Sequence, residues 1–483
     1  MSRTENISLY ELPSSDTQPE RSADASGAGG GDGGDGETLT APDARQAEGS
    51  RKRAFILLGA SISQLPIWGF SMSYGVFQEY YMNHWTLGGS RDVTGIIGTT
   101  SNGVLYLSMP LLFAAFTRRW AHQRQIAAVA GAVLAAASFV LSSFSTQVWH
   151  LVATQGVLAA FGCALVYSPT TLSLGEWFSP TGAGTKNHRA VAYGVTLSCK
   201  NVVGSVVPFL VRALLENYGF RTALRVWAAV TLGSGLLSIA LIPTHPTILV
   251  GASADSEQTH RRRNIPWHFL RHRTFYVYST AIILQSAGYG IPQSYLPTYA
   301  REITRLSQTS ATLLLTVFNI PGILSSSAFG YLSDNKYFPL SATTVTAISA
   351  LSSSLAAFFL WGFTSQGSLA QLLLFSATFG FFAGGYSATW GGVINELESE
   401  AVLCNEAVDA GMIYGLLNGA RGIGYVSGGL VSVPLLKAGS GTSIGEFGYA
   451  STYGPLILFT GLSSVFGGWG ILWRWTSSLH RLL

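Results

Sequence analysis

Apolar stretches of roughly 20 residues recur from Ala54 onward, each long enough to carry a helix across a ~30 Å hydrocarbon layer. They predict spans at 54–82, 93–117, 126–145, 148–172, 189–211, 223–243, 274–298, 310–332, 340–362, 369–395, 408–436 and 452–476. In hydrocarbon every backbone polar group needs a partner within the protein, so the spans are expected as helices. The longest break, 244–273, follows the sixth span and divides the chain six plus six. The expected fold is an all-α membrane protein, with twelve transmembrane helices in two pseudo-symmetric six-helix bundles at 54–243 and 274–476. A basic linker at 244–273 joins them, and a short tail at 477–483 follows.

Composition agrees. Charged residues are 11% of the chain and mean hydropathy is +0.33, whereas soluble domains carry roughly 25% charge. So little charge cannot cover a soluble fold, which excludes ordinary cytosolic enzymes and nucleic-acid binders. The charge is also uneven: residues 1–50 hold 10 acidic and 3 basic residues, a net of −7, and the rest nets +11. The pI near 8.9 therefore says nothing about nucleic acid. Cys163, Cys199 and Cys404 are too few and too scattered for a disulfide framework. Residues 1–53 are expected as a disordered leader, because the stretch GAGGGDGGDGE has almost nothing to bury. It is not a signal peptide, since no basic start and apolar core precede Arg51.

Orientation follows from Lys and Arg, which favour cytosolic loops. With the leader in the cytosol, that side holds 16 of them beyond residue 50 and the other side 7. Both termini are expected to be cytosolic, the sequon at Asn6 is expected to be silent, and the Arg261-Arg262-Arg263 triplet is read as a positive-inside anchor. Two cations remain inside spans, Lys200 and Arg421.

Those two belong to an internal repeat. Tyr193-Gly194 precedes Lys200 in the fifth span as Tyr414-Gly415 precedes Arg421 in the eleventh, and one shift along the chain superimposes both the Tyr-Gly pairs and the cations. Two six-helix halves related by duplication form a transporter architecture. A charge near the midplane costs on the order of 3 kcal/mol, and no Asp or Glu occupies the middle of any span; Glu79, Glu176 and Glu396 lie near span ends. Two midplane cations without a midplane acid favour an anion. Tyr414, Asn418, Arg421 and Tyr425 share one helix face, as do Tyr193, Thr196 and Lys200. Gln64, Trp68, Ser71, Gly75 and Gln78 form a stripe on the first span, and Gln285, Tyr289 and Pro292 another on the seventh. Each stripe alone also suits helix packing. The glycines of Thr378–Gly392 and Tyr425–Gly429 suit close helix approach. The candidate substrate-binding residues are Lys200, Arg421, Tyr193, Tyr414, Asn418, Gln64, Gln285 and Tyr289.

Gly330-Tyr331-Leu332-Ser333-Asp334-Asn335-Lys336, at the end of the eighth span, resembles the loop signature of the major facilitator superfamily. The first-half counterpart, Phe113 to Arg119, keeps the arginines and lacks the Gly and the Asp. The resemblance implies gating roles for Gly330, Asp334 and Arg118. Within the superfamily the chain is similar to fungal members of the monocarboxylate-porter family, through PIWGFSMSYGVFQEYY (Pro66–Tyr81), QGVLAAFGCALVYSP (Gln155–Pro169), EWF (Glu176–Phe178), Arg189 to Gly194 and GYGIPQSYLPTYA (Gly288–Ala300). Animal members carry an Asp and an Arg in the eighth span and a Lys in the first. Here the eighth offers Asn319 and no charge, and the first has no Lys, so their proton-coupling residues do not carry over.

The expectation is a non-enzymatic, cofactor-free, monomeric fold: a secondary or facilitative transporter in the cell membrane, moving a small organic anion of monocarboxylate type by alternating access. Export of a fungal secondary metabolite and a transporter-shaped nutrient receptor are the alternatives. Protons stay open as a co-substrate, through Glu79, Glu176, His150 or the substrate's own carboxylic acid. Neither a Walker-type phosphate loop nor a catalytic or metal-ligand set is evident.

Overall fold

The computed structural model describes residues 41–84, 88–89, 93–117, 120–178, 189–243, 267–334, 340–404, 406, 408–440 and 447–474. The chain divides into Met1–Glu48 and Gly49–Leu483. Of the first unit, 41–48 are described and helical. The helices are α1 (Ala41–Ile62), α2 (Gln64–Asn83), α3 (Thr94–Thr117), α4 (Arg124–Ser142), α5 (Val148–Trp177) and α6 (Arg189–Leu241). They continue with α7 (Arg273–Glu302), α8 (Gln308–Asp334), α9 (Ala342–Trp361), α10 (Leu369–Leu403), α11 (Ala410–Gly439) and α12 (Gly454–Phe466). Among the described residues there is no strand, only an isolated bridge between Gly88 and Gln147.

The all-helical expectation holds. Among the described residues, nine helices are long and apolar enough to cross a membrane. One of them contains two expected spans: α6 runs on through Gly219, whose φ of 74° and ψ of 170° break the helical geometry. That positive φ costs glycine little and other residues more. Two further helices of 30 residues, α7 and α11, stand outside the nine. Gln285, Ser286, Gln293 and Ser294 on one, and Asn418 and Arg421 on the other, lower their hydropathy. These are helices that line the centre.

Boundaries differ at three places. The helix expected to start at 54 begins at Ala41. Pro42 is no obstacle, because first-turn N–H groups have no intrahelical partner to lose. Residues 1–40, the rest of the expected leader, lie outside the described residues. The expected linker ends in a short helical turn, Trp267–Arg271. Helix α10 extends past 395 to Leu403. Pro66 leaves the carbonyl of Ile62 without its helical partner, and α1 gives way to α2 at Ser63.

Helices from before and after the 244–266 stretch pack chiefly as α3 on α11, α6 on α8 and α2 on α7. The first two contacts are related by the repeat: the shift that carries Lys200 onto Arg421 carries α3 onto α8 and the first part of α6 onto α11. Exchanging the halves converts one contact into the other, as a pseudo-twofold axis requires. One hydrophobic cluster runs through both halves and includes Trp68, Tyr106, Tyr167, Tyr289, Phe318, Phe379 and Tyr425.

The α3–α11 seam depends on small residues. A Cβ on Gly422 would lie 2.6 Å from the Leu107 backbone nitrogen, and one on Gly419 2.5 Å from the Pro110 ring. Glycine lets the backbones touch, the usual device where no hydrophobic effect drives helices together in lipid. Gly422→Ala is expected to lower the unfolding temperature of the purified protein by several degrees, since backbone cannot yield as a side chain can. Gly233→Ala, where a Cβ meets nothing within 4 Å, should be neutral or slightly stabilising, because alanine favours the helix by up to about 1 kcal/mol. Equal losses in both would mean that the seam is not the cause.

Candidate functional site

Lys200 and Arg421 are each the twelfth residue of their helices, α6 and α11. The Lys200 ammonium lies 4.0 Å from the centre of the Trp68 ring and 3.5 Å from the Tyr106 hydroxyl. Arg421 is only 3% exposed. Its guanidinium carbon lies 5.2 Å from the Tyr106 ring, 5.2 Å from Tyr289, 5.6 Å from Tyr425 and 5.7 Å from Trp390. Among the described residues neither cation takes part in an ion pair.

Aromatic faces explain how such a charge is tolerated. Each ring offers a cation roughly 0.5 to 2 kcal/mol, the upper figure when water is excluded. Four rings therefore offset a midplane charge without supplying a counter-ion. They satisfy the charge and leave hydrogen-bond donors over: Arg421 Nε is buried with no acceptor, as are the indole N–H groups of Trp68 and Trp390. Trp227 and Trp361 share that condition elsewhere, so an unpaired indole alone marks nothing. What sets Trp68 and Trp390 apart is their position against the two cations. The centre is rich in donors, and a buried donor left unpaired costs about 1–3 kcal/mol.

The expected residues divide. Tyr289 joins the ring cage and packs on Phe318 and Phe379. Tyr193 and Tyr414 stack on each other, centroids 6.1 Å apart and planes at 23°, with Phe113 and Trp390 against Tyr414. Gln64, which donates to the Ala60 carbonyl at 3.0 Å, lines a small cavity with Tyr167, Tyr193, Thr196 and Tyr414. The cavity has about 10 Å³ of free volume, barely enough for one water. Asn418 donates to the Tyr414 carbonyl of its own helix at 2.8 Å. Gln285 is buried against Gly467. The gating candidate Arg118 lies outside the described residues, as do the surroundings of Gly330 and Asp334 on the end of α8.

Tyr106, Trp390 and Tyr167 are missing from the expected site. Tyr106 contacts both cations, and Tyr167 sits edge-on to Trp68 at 5.9 Å. The chain does carry a signal for two other rings of the centre. Trp68 and Tyr289, which lie against Lys200 and Arg421, are themselves related by the shift that relates the cations, and so are Gln64 and Gln285. The duplicated element is a cation with its aromatic ring. Tyr106 has no such twin, since Ser327 occupies the equivalent position.

At the end of the bundle where α2 finishes, Glu79 is 1% exposed and pairs with Arg212 at 3.2 Å and Arg301 at 3.5 Å. Arg212 also bonds Glu216 at 2.8 Å, the Gln308 carbonyl at 2.6 Å and the Thr312 hydroxyl. This cluster ties α2 and α6 to α7 and α8. Glu176 is held bidentately by Arg124 at 2.7 and 2.9 Å, and His150 accepts from the Thr146 amide at 3.3 Å. A larger cavity, about 660 Å³, is lined only by second-half residues, including Tyr278, Glu396, Glu400 and Arg474, and by neither cation.

The family model described as Major Facilitator Superfamily matches residues 56–429. The chain is 24% identical over 395 residues to the MFS-type transporter pynF of Aspergillus niger, covering 81% of this chain and 83% of that one. It is 26% identical over 296 residues to monocarboxylate transporter 12-B of Danio rerio, covering 55% and 58%. A crystal structure of a POT family transporter, in complex with 5-aminolevulinic acid, superposes with a TM-score of 0.64 at 12% identity, covering 87% of this chain and 95% of that one.

Removing one partner of a buried ion pair strands the other, at roughly 3–5 kcal/mol. Glu79→Gln should accordingly lower the thermal unfolding midpoint by many degrees. Glu216→Gln removes a carboxylate that is 46% exposed, and should cost about 1 kcal/mol or less. If both variants melt alike, the cluster is not a structural tie.

Proposed function

The chain belongs to the Major Facilitator Superfamily, and from that premise we propose that this multi-pass membrane transporter carries a small organic anion bound between Lys200 and Arg421. The observation that carries the reading is a buried Arg421 and a half-buried Lys200 set among unpaired donors, in a centre where, among the described residues, no ion pair reaches either cation. A carboxylate accepts hydrogen bonds and cannot donate them. It would take the Arg421 Nε–H and the Lys200 ammonium together, and charge-assisted bonds of that kind are about twice as strong as neutral ones.

Transport follows from where the site sits. Residues from both chain halves surround it, so a rocking of the halves exposes it to one side and then the other. The Glu79 cluster closes one mouth, and the Tyr193–Tyr414 stack closes the other. By the count of Lys and Arg, the tyrosine mouth faces the cytosol, with both termini on that side in the cell membrane. The likeness to monocarboxylate transporters supports a carboxylic acid as cargo.

Lys200→Ala and Arg421→Ala should each leave the protein in the membrane and reduce anion uptake into reconstituted vesicles by tenfold or more, the loss of about 1.4 kcal/mol or more of binding. Lys200→Arg should be milder than Lys200→Glu. Unchanged kinetics in both alanine variants would remove the cations from the site. Comparing metabolites inside and outside cells with and without the protein gives cargo class and direction together.

A further inference from the structure

Two rings at the centre stand parallel. Tyr106 of α3 and Tyr425 of α11 have centroids 5.6 Å apart and planes at 13°, the most nearly parallel pair around the cations. They come from opposite halves of the chain. Arg421 lies against both, its guanidinium carbon 5.2 Å from one ring centre and 5.6 Å from the other, and the Tyr106 hydroxyl lies 3.5 Å from the Lys200 ammonium. Both rings are buried, and Trp68 and Tyr289 flank the pair on either side.

A flat ring held between two others needs roughly 7 Å between the outer planes, two contacts of about 3.5 Å each. The two centroids stand 5.6 Å apart, a distance that includes any sideways offset of the rings, so a clamp opens by parting Tyr106 from Tyr425, and a rocking of the halves that carry them does so. A saturated ring of the same carbon count is thicker and puckered, and it lacks the π face that gives stacked pairs their preference. A carboxylate on the rim of such a flat ring would have Arg421 as its neighbouring cation, since the guanidinium lies against both tyrosine rings and its Nε–H is buried without an acceptor.

We propose that the cargo is a carboxylate on an aromatic or conjugated planar body, clamped between Tyr106 and Tyr425, with its anionic group on Arg421. The inference rests on the anion reading above and narrows it. The alternative use of the same rings is to shield Arg421 and nothing more.

The test is calorimetric binding to the purified full-length protein in detergent, with benzoate, cyclohexanecarboxylate and benzamide as probes. Benzoate is expected to bind at least about tenfold tighter than cyclohexanecarboxylate, the gain of two stacked faces, and benzamide to bind weakly or not at all. In Tyr425→Leu the benzoate preference should collapse toward unity, and Tyr425→Phe should restore it. Equal binding of benzoate and cyclohexanecarboxylate, both above benzamide, overturns the clamp and leaves the anion site standing. Benzamide binding as well as benzoate overturns the anion site instead. No detectable benzoate binding to a protein whose unfolding is cooperative overturns the planar-acid assignment. If Tyr425→Leu fails to fold, the ratio measured in the parent and in Tyr425→Phe still decides between the outcomes.

Discussion

A guanidinium buried to 3% exposure among four aromatic rings is the constraint around which the centre is organised. Charge in a low-dielectric interior must be compensated, and a carboxylate would normally do it. Here the compensation is spread over ring quadrupoles, which stabilise the charge and leave its Nε–H without an acceptor. A cation neutralised by an aspartate would be a finished structural contact. A cation held by rings keeps its affinity for an anion, and the surrounding helices must keep those rings in place. That explains why α3, α7, α10 and α11 each contribute one ring, and why the glycine seam lets α3 and α11 approach.

Duplication makes this arrangement without making it symmetric. Lys200 with Trp68, and Arg421 with Tyr289, occupy corresponding positions, yet the first half uses a compact ammonium and the second a planar fork. The two groups are not interchangeable: a guanidinium orients a carboxylate, and an ammonium supplies a less directional charge. Tyr106, which has no twin, joins the two. Each half supplies a cation and its ring, and the asymmetric residues turn two similar half-sites into one.

Much of this can be read from the chain. The recurrence of apolar runs predicts the helical membrane fold, the scarcity of charge picks out Lys200 and Arg421, and the repeat relates them. Tyr289 is within reach because it shares a face with Gln285. Tyr106 and Trp390 are not, because an aromatic residue in an apolar helix carries no periodic mark to separate a site wall from ordinary packing. Asn418 falls short for the opposite reason: a polar residue in a span can be occupied by its own helix, as Asn418 is by the Tyr414 carbonyl. The Glu79 cluster is hidden because its partners, Arg212 and Arg301, come from remote segments of the chain. Only folding brings them within bonding distance.

On the proposed reading, the two mouths are closed by different materials. One is held by Glu79, Arg212 and Arg301, and parting them means hydrating several ions at once. The other is held by two stacked phenol rings, which can slide apart with little solvent reorganisation. The two halves of the proposed cycle would therefore differ in heat and in water uptake, even though the scaffold is built from two copies of one plan. In that cycle, opening the charged mouth would be a wetting event, and opening the other a shearing one.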